Sequence, residues 1–192
     1  MIENLIGGNI FLKMVRISLV IVVICIGYTL FYFNQYHIED ERASIQSNLT
    51  EWENRGTGEE IKLDVLEVTQ LDNTNSYIVL FETDNKNIGY AHFLKGWNGH
   101  FKIELSGHGT NVVSYEEIKT NNGMYRILVG KNPDFKIHHI TAKLINEEFS
   151  FTSNVSKDEK FVKYKKLPSD LKQTFPADLT FFDENKNIIQ NP

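Results

Sequence analysis

The chain has 192 residues, enough for one domain of ordinary size plus an appendage, with 41% hydrophobic residues and a formal charge of −5 at pH 7. Setting aside Glu3, Lys13 and Arg16 leaves 18 basic and 24 acidic residues beyond position 36, a net charge of −6. That balance excludes nucleic-acid binding, whose footprint is a clustered basic excess. Cys25 is the single cysteine and lies in an apolar run, so the remainder offers no disulfide and no thiolate nucleophile.

Residues 17–33, ISLVIVVICIGYTLFYF, carry no charge. As a helix they span roughly 25 Å, and extension to Tyr36 gives about 30 Å, the thickness of a bilayer's hydrocarbon core. They show no polar face, which a helix on the surface of a soluble domain would need. The expectation is a transmembrane helix over 17–36 whose partner is the lipid bilayer. Lys13 and Arg16 precede it and Glu39-Asp40-Glu41 follow, which puts residues 1–16 in the cytoplasm and the rest outside a cell membrane. Tyr28, Phe31, Tyr32, Phe33 and Tyr36 gather at the exit end, where aromatic rings favour headgroups. A cleaved signal would need small residues after Phe33, and a lipoprotein would need one before Cys25, where Ile24 stands.

Ile38, Ile45, Leu49 and Trp52 recur at helical intervals and predict a juxtamembrane helix over 37–54, open to continuity with the first. Arg55-Gly56-Thr57-Gly58 ends it and closes a linker at 58. Its apolar stripe suits packing on the following domain, or self-association of the 37–54 helix with a second copy. From 59 to 192 the texture is β: short runs rich in Val, Ile, Phe, Tyr and Thr alternate with turn clusters such as Asp84-Asn85-Lys86-Asn87 and Asn121-Asn122-Gly123. The fold class is all-β, an antiparallel β-sandwich or barrel-like meander.

Within it, His92, His100 and His108 stand eight residues apart around Asn98-Gly99, a strong hairpin signal. A two-residue turn pairs His92 with Leu105, and a four-residue loop pairs it with Ile103. Either register puts His92 on the apolar face and His100 on the wet one, so the two cannot close on one zinc ion at about 2.1 Å without a bulge. His92 reads as a core histidine hydrogen-bonded to a neighbour. Trp97, at the tip, either folds back onto the sheet, the favoured reading, or anchors a partner. His138-His139 breaks the alternation between Phe135, Ile137 and Ile140, Ala142, Leu144, and a bulge there would restore one apolar face.

In KFVKYKKL, Lys160, Lys163, Lys165 and Lys166 read first as lysines guarding a sheet edge, and second as a contact for an anionic wall polymer or lipid. Asp183-Glu184-Asn185-Lys186-Asn187 opens like a calcium loop but has Ile188 at the sixth position and no twelfth-position Glu, so a hairpin turn is expected. Glu116-Glu117, Glu147-Glu148 and Asp158-Glu159 read as surface charge. GxSxG, HExxH, P-loop and dinucleotide motifs are absent, and neither catalytic residues, metal ligands nor a cofactor are assigned.

YIVLFE, FLKGWNG, ILVGKNPDFKIHHI and LTFFDENKNII, taken in that order, resemble a functionally uncharacterised group of small exported or membrane-anchored proteins of spore-forming Gram-positive bacteria. The resemblance covers about residues 62–189. It implies location and a compact β fold, and transfers no catalytic residues. The expected function is a non-enzymatic, single-pass protein whose exported β domain binds or assists a protein or anionic envelope-polymer partner at the cell surface. The alternative is an envelope hydrolase or metal-dependent enzyme with a site assembled from distant strands.

Overall fold

The computed structural model describes residues 3–56 and 60–190. The chain divides into two units, Met1–His37 and Ile38–Pro192. The first is one helix, α1 (Glu3–Gln35), within which Leu12–Gln35 is long and apolar enough to cross a membrane. At 1.5 Å per residue those 24 residues run about 36 Å. Leucine, isoleucine and valine side chains from Leu12 to Leu30 are exposed along it. The Tyr32 and Tyr36 rings stack at 4.5 Å near its end.

The second unit opens with Ile38, which makes an antiparallel bridge to Phe101 with N···O distances of 3.1 and 2.7 Å. That extended pairing takes residue 38 out of any helix. The juxtamembrane helix expected from 37 therefore begins only at Arg42 (α2, Arg42–Glu53) and is separate from α1.

Eleven strands follow, β1 (Leu63–Gln70), β2 (Ser76–Thr83), β3 (Ile88–Lys95), β4 (Phe101–Gly109), β5 (Val113–Thr120), β6 (Gly123–Lys131), β7 (His139–Leu144), β8 (Ser150–Asn154), β9 (Lys160–Lys166), β10 (Ala177–Phe182) and β11 (Ile188–Ile189). They form three antiparallel sheets: A, ordered β1-β2-β3-β4; B, ordered β5-β6-β9; and C, ordered β11-β10-β7-β8. The all-β expectation holds, and of its two forms the sandwich is the one observed.

Strand alternation builds three cores. Ile38, Ile45 and Leu49 press on Val79, Phe81, Ala91, Phe93 and Phe101 of sheet A, so α2 spends its apolar stripe within the chain. The other face of sheet A, through Ile78, Leu80 and Ile88, meets Tyr125, Ile127 and Val129 of sheet B. Sheet B's far face, through Tyr115, Leu128 and Phe161, meets Ile140, Ala142, Leu144 and Phe151 of sheet C. The layers thus run α2, A, B, C. The central strands β2 and β6 are buried on both faces, which is why they read as nearly unbroken apolar runs.

The bulge expected at His138-His139 is not there. β7 starts at His139 and pairs with β8 and β10 without a register break. Before it, Pro133–Phe135 make a 3-10 turn in which Asp134 and Phe135 have φ of 56° and 53°. This turn leaves Phe135 exposed while Ile137 is buried. Buried Asn132 holds the loop: its Nδ2 donates to the carbonyls of Ile137 at 2.7 Å and Val155 at 3.0 Å, and its Oδ1 accepts from Ile137 N at 2.8 Å. The residues after β10 do form the expected hairpin turn. Asp183 Oδ1 accepts the amides of Asn185 and Asn187 at 2.9 and 2.8 Å, and bonding to Asn187 holds its carboxyl below the usual range.

Candidate functional site

Next to its loop the β3–β4 hairpin differs from both registers read in the sequence, whereas the His92–Leu105 pair of the two-residue reading is present. Lys95 pairs with Phe101, so the loop is Gly96–His100, and only Gly99 takes positive φ, at 81°. A bulge at Glu104 then shifts the pairing, so that Phe93 lies opposite Ile103 but His92 opposite Leu105. Phe101 and Ile103 therefore face α2, whereas Leu105 turns to the other side. Trp97 does not fold back; it is 70% exposed at the tip. Beneath it the base of the hairpin is tied to the segment before α2. Lys95 Nζ bonds Asp40 at 2.6 Å, which raises the lysine pKa, and it stands 5.7 Å from the Tyr77 ring centroid.

The three histidines do not converge. His92 lies on the sheet B side of sheet A by alternation with Tyr90 and Ile88, whereas His108 packs beside Phe81 on the α2 side. The bulge does not bring them together: beyond it His92 lies opposite Leu105 and His108 opposite Gly89, which puts the two imidazoles on opposite faces of sheet A. Among the described residues no group of three or more His, Cys, Asp or Glu is placed to hold a metal ion.

His92 is buried, but its Nε2 has no hydrogen-bond partner, so the neighbour expected from sequence is not found at that atom. Burial, with Lys102, lowers its pKa against a smaller upward pull from Glu104. The unfolded chain then takes up a proton near pH 6.5 that the folded chain refuses. Stability is fully present above that pH and is lost as pH falls toward the depressed folded value. Melting temperature should drop more steeply between pH 7 and pH 5 in the wild type than in His92→Phe.

The lysine strand is β9, an edge of sheet B, and its parity separates the four lysines. Lys160 and Lys166 point toward sheet A, and Lys163 and Lys165 toward sheet C, as their register against β6 requires. Lys160 bonds Glu82 at 3.1 Å, Lys163 bonds Asp158 at 2.8 Å, and Lys166 donates to Asn122 at 3.0 Å. They are not one basic patch.

Two polar constellations bear on hydrolysis. Glu53 accepts from Ser106 Oγ and stands 3.5 Å from His108 Nε2. A nucleophile relay needs the imidazole between hydroxyl and carboxylate. Here the carboxylate is in the middle, which docks α2 on β4 but activates nothing. The second is a cleft of about 250 Å³ between sheets A and B, lined by Tyr90, Asn111, Ser114 and Glu116. Burial and then Glu116 push the Tyr90 phenol well up, so it stays protonated and donates to that carboxylate.

The constellation that sequence reading missed lies between sheets B and C. Arg126, in the middle of β6, is 0% exposed. Its Nη2 forms an ion pair with Glu117 on β5, directly across the ladder, but none of Nε, Nη1 and Nη2 makes a hydrogen bond of good geometry. Its guanidinium carbon lies 4.9 Å from the Tyr115 ring centroid and 5.7 Å from that of Phe175. Glu117 also accepts from Thr174 Oγ1, so the acid read as surface charge is a structural partner. Segment 167–176 crosses above as a strap, and Glu147 Oε1 accepts the Lys172 and Gln173 amides at 2.9 and 3.0 Å. The signal available in the sequence was an arginine inside the apolar run MYRILVG, since a central strand cannot bury a charge without a partner. Comparison of the chain with protein-family models, curated proteins and solved structures gives no match.

Proposed function

We propose that the chain is a single-pass membrane protein of the cell membrane, with its N-terminus cytoplasmic and its β unit displayed outside, where it binds or assists a protein partner without catalysis. The observation that carries this is Trp97: a large amphipathic ring held 70% exposed at the tip of a braced hairpin. Exposed tryptophan on a braced element is the residue type that dominates binding hot spots. Lys13 and Arg16, at the N-terminal end of the apolar stretch, and Glu39-Asp40-Glu41 after it support the orientation. The resemblance to small exported proteins of spore-forming Gram-positive bacteria supports the location.

A photo-crosslinking residue at position 100 of the full chain, in the same loop as an intact Trp97, should yield a discrete adduct in native membranes. In that background Trp97→Ala should abolish capture of the same species while the protein still accumulates in the membrane at the wild-type level. Adducts that form equally from a control position on β9, or capture that survives Trp97→Ala, would exclude the hairpin as the contact. Amine labelling of intact cells tests the orientation: the exposed Lys165 reacts from outside if the β unit is displayed there, and is protected if it is not.

A further inference from the structure

The strap over Arg126 covers a residue whose hydrogen-bonding capacity is not met. A guanidinium carries five N–H donors, and a buried donor without an acceptor costs about 1–3 kcal/mol. Here one carboxylate meets one nitrogen of a wholly buried arginine, and none of Nε, Nη1 and Nη2 makes a hydrogen bond of good geometry. The same register row continues to β9, where Arg126 lies opposite Lys165, so the ladder reads Glu117, Arg126, Lys165 across sheet B. Cross-strand neighbours on one face stand about 5 Å apart. Along this row two formal positive charges stand against one negative, in a unit that is acidic overall.

The cover is removable in kind. Residues 167–176 make no strand pairing. Over the arginine the strap is held by side chains: Thr174 to Glu117, the Tyr115 hydroxyl to Thr174 O at 3.5 Å, and the Phe175 ring stacked on Tyr115 at 6.5 Å. Phe175 is itself 64% exposed. A buried cation under an exposed aromatic flap, with a second cation at the rim, is the arrangement that recognises an oxyanion.

We propose that Arg126 and Lys165 form a binding site for a phosphate group beneath the Phe175 strap. Arg126 supplies its unmet donors and Lys165 a point charge, and Glu117 keeps the arginine compensated when the site is empty. This goes beyond the Trp97 contact and does not depend on it.

The test uses the full chain in nanodiscs of phosphatidylcholine, titrated with inorganic phosphate at constant ionic strength. Melting temperature should rise saturably, by roughly 3–6 °C at ten times the apparent Kd. Lys165→Ala, an exposed change that leaves the fold intact, should weaken that Kd about tenfold. Arg126→Met should abolish the rise. Soluble poly(glycerol phosphate) in one arm, and phosphatidylglycerol placed in the disc in another, distinguish a polymer from a lipid headgroup as the source. A rise in either supports the site. No rise with any of the three probes, or an identical rise in Lys165→Ala, overturns it. Crosslinking from position 100 is unaffected by either result, so failure here is distinct from failure of the surface-contact reading.

Discussion

Glu117→Ala lowers the unfolding free energy by about 3 kcal/mol, because it leaves a fully buried guanidinium without the carboxylate it pairs with. The figure is taken from the low end of the range for breaking a buried pair. Glu117 is 36% exposed, so water replaces part of the lost carboxylate. Arg126→Met behaves differently. It removes the charge and keeps an unbranched apolar side chain against Tyr115 and Phe175, and costs about 1 kcal/mol. Combining the two changes should then cost little more than Arg126→Met alone, since nothing is left for Glu117 to neutralise. Urea unfolding of the four proteins, followed by tryptophan emission, gives the coupling directly. A double variant as unstable as the sum of the singles would show that Glu117 stabilises through Thr174 and the strap, and not through the arginine.

How much of this was legible follows from what each signal depends on. Local signals carried the apolar helix, the positions of nearly all the strands and the Asp183 turn, because periodicity and turn chemistry act within a few residues. The start of α2 was misread because residue 38 answers to Phe101, more than sixty positions away. The hairpin register was read correctly at His92 and Leu105 by the two-residue turn but missed at the loop, because the bulge at Glu104 is invisible to alternation, which assumes constant parity. Phe135 was placed in a strand, since nothing local announces that Asn132 will be clamped between Ile137 and Val155. At the candidate sites, Trp97 was found by its position after a strand and before Asn98-Gly99, although its exposure was not. Arg126 was passed over within an apolar run. Its partner Glu117 looked like any surface acid, because only the β5–β6 register puts the two side by side.

Gly130→Ala costs about 3 kcal/mol or more, although Gly130 has no positive φ. Gly130 sits near the end of β6, between Val113 of β5 and Phe161 of β9. A methyl there would strike the Val112 carbonyl oxygen and lie 2.9 Å from Val113 Cα, both backbone atoms of a strand already fixed by the Lys131 N to Val112 O bond at 2.9 Å. Backbone of a paired strand cannot turn aside, so the change must push β5 off the ladder that carries Tyr115 and Glu117. Gly89→Ala meets the edge of the fully buried Phe81 ring and His108 Cβ at 2.8 Å, a ring held by the core and an atom that moves only with its backbone, for about 2 kcal/mol. Gly99→Ala has nothing within 4 Å and pays only for φ of +81°, about 1 kcal/mol. The predicted order of loss is Gly130, then Gly89, then Gly99, with denaturant midpoints as the measure. If Gly99→Ala proved the most damaging, backbone conformation and not close approach would be the controlling term, and the tight seating of β5 over β6 would be wrong. If the order holds, Gly130 is what lets β5 close on β6 near the arginine, so its replacement should also weaken phosphate binding.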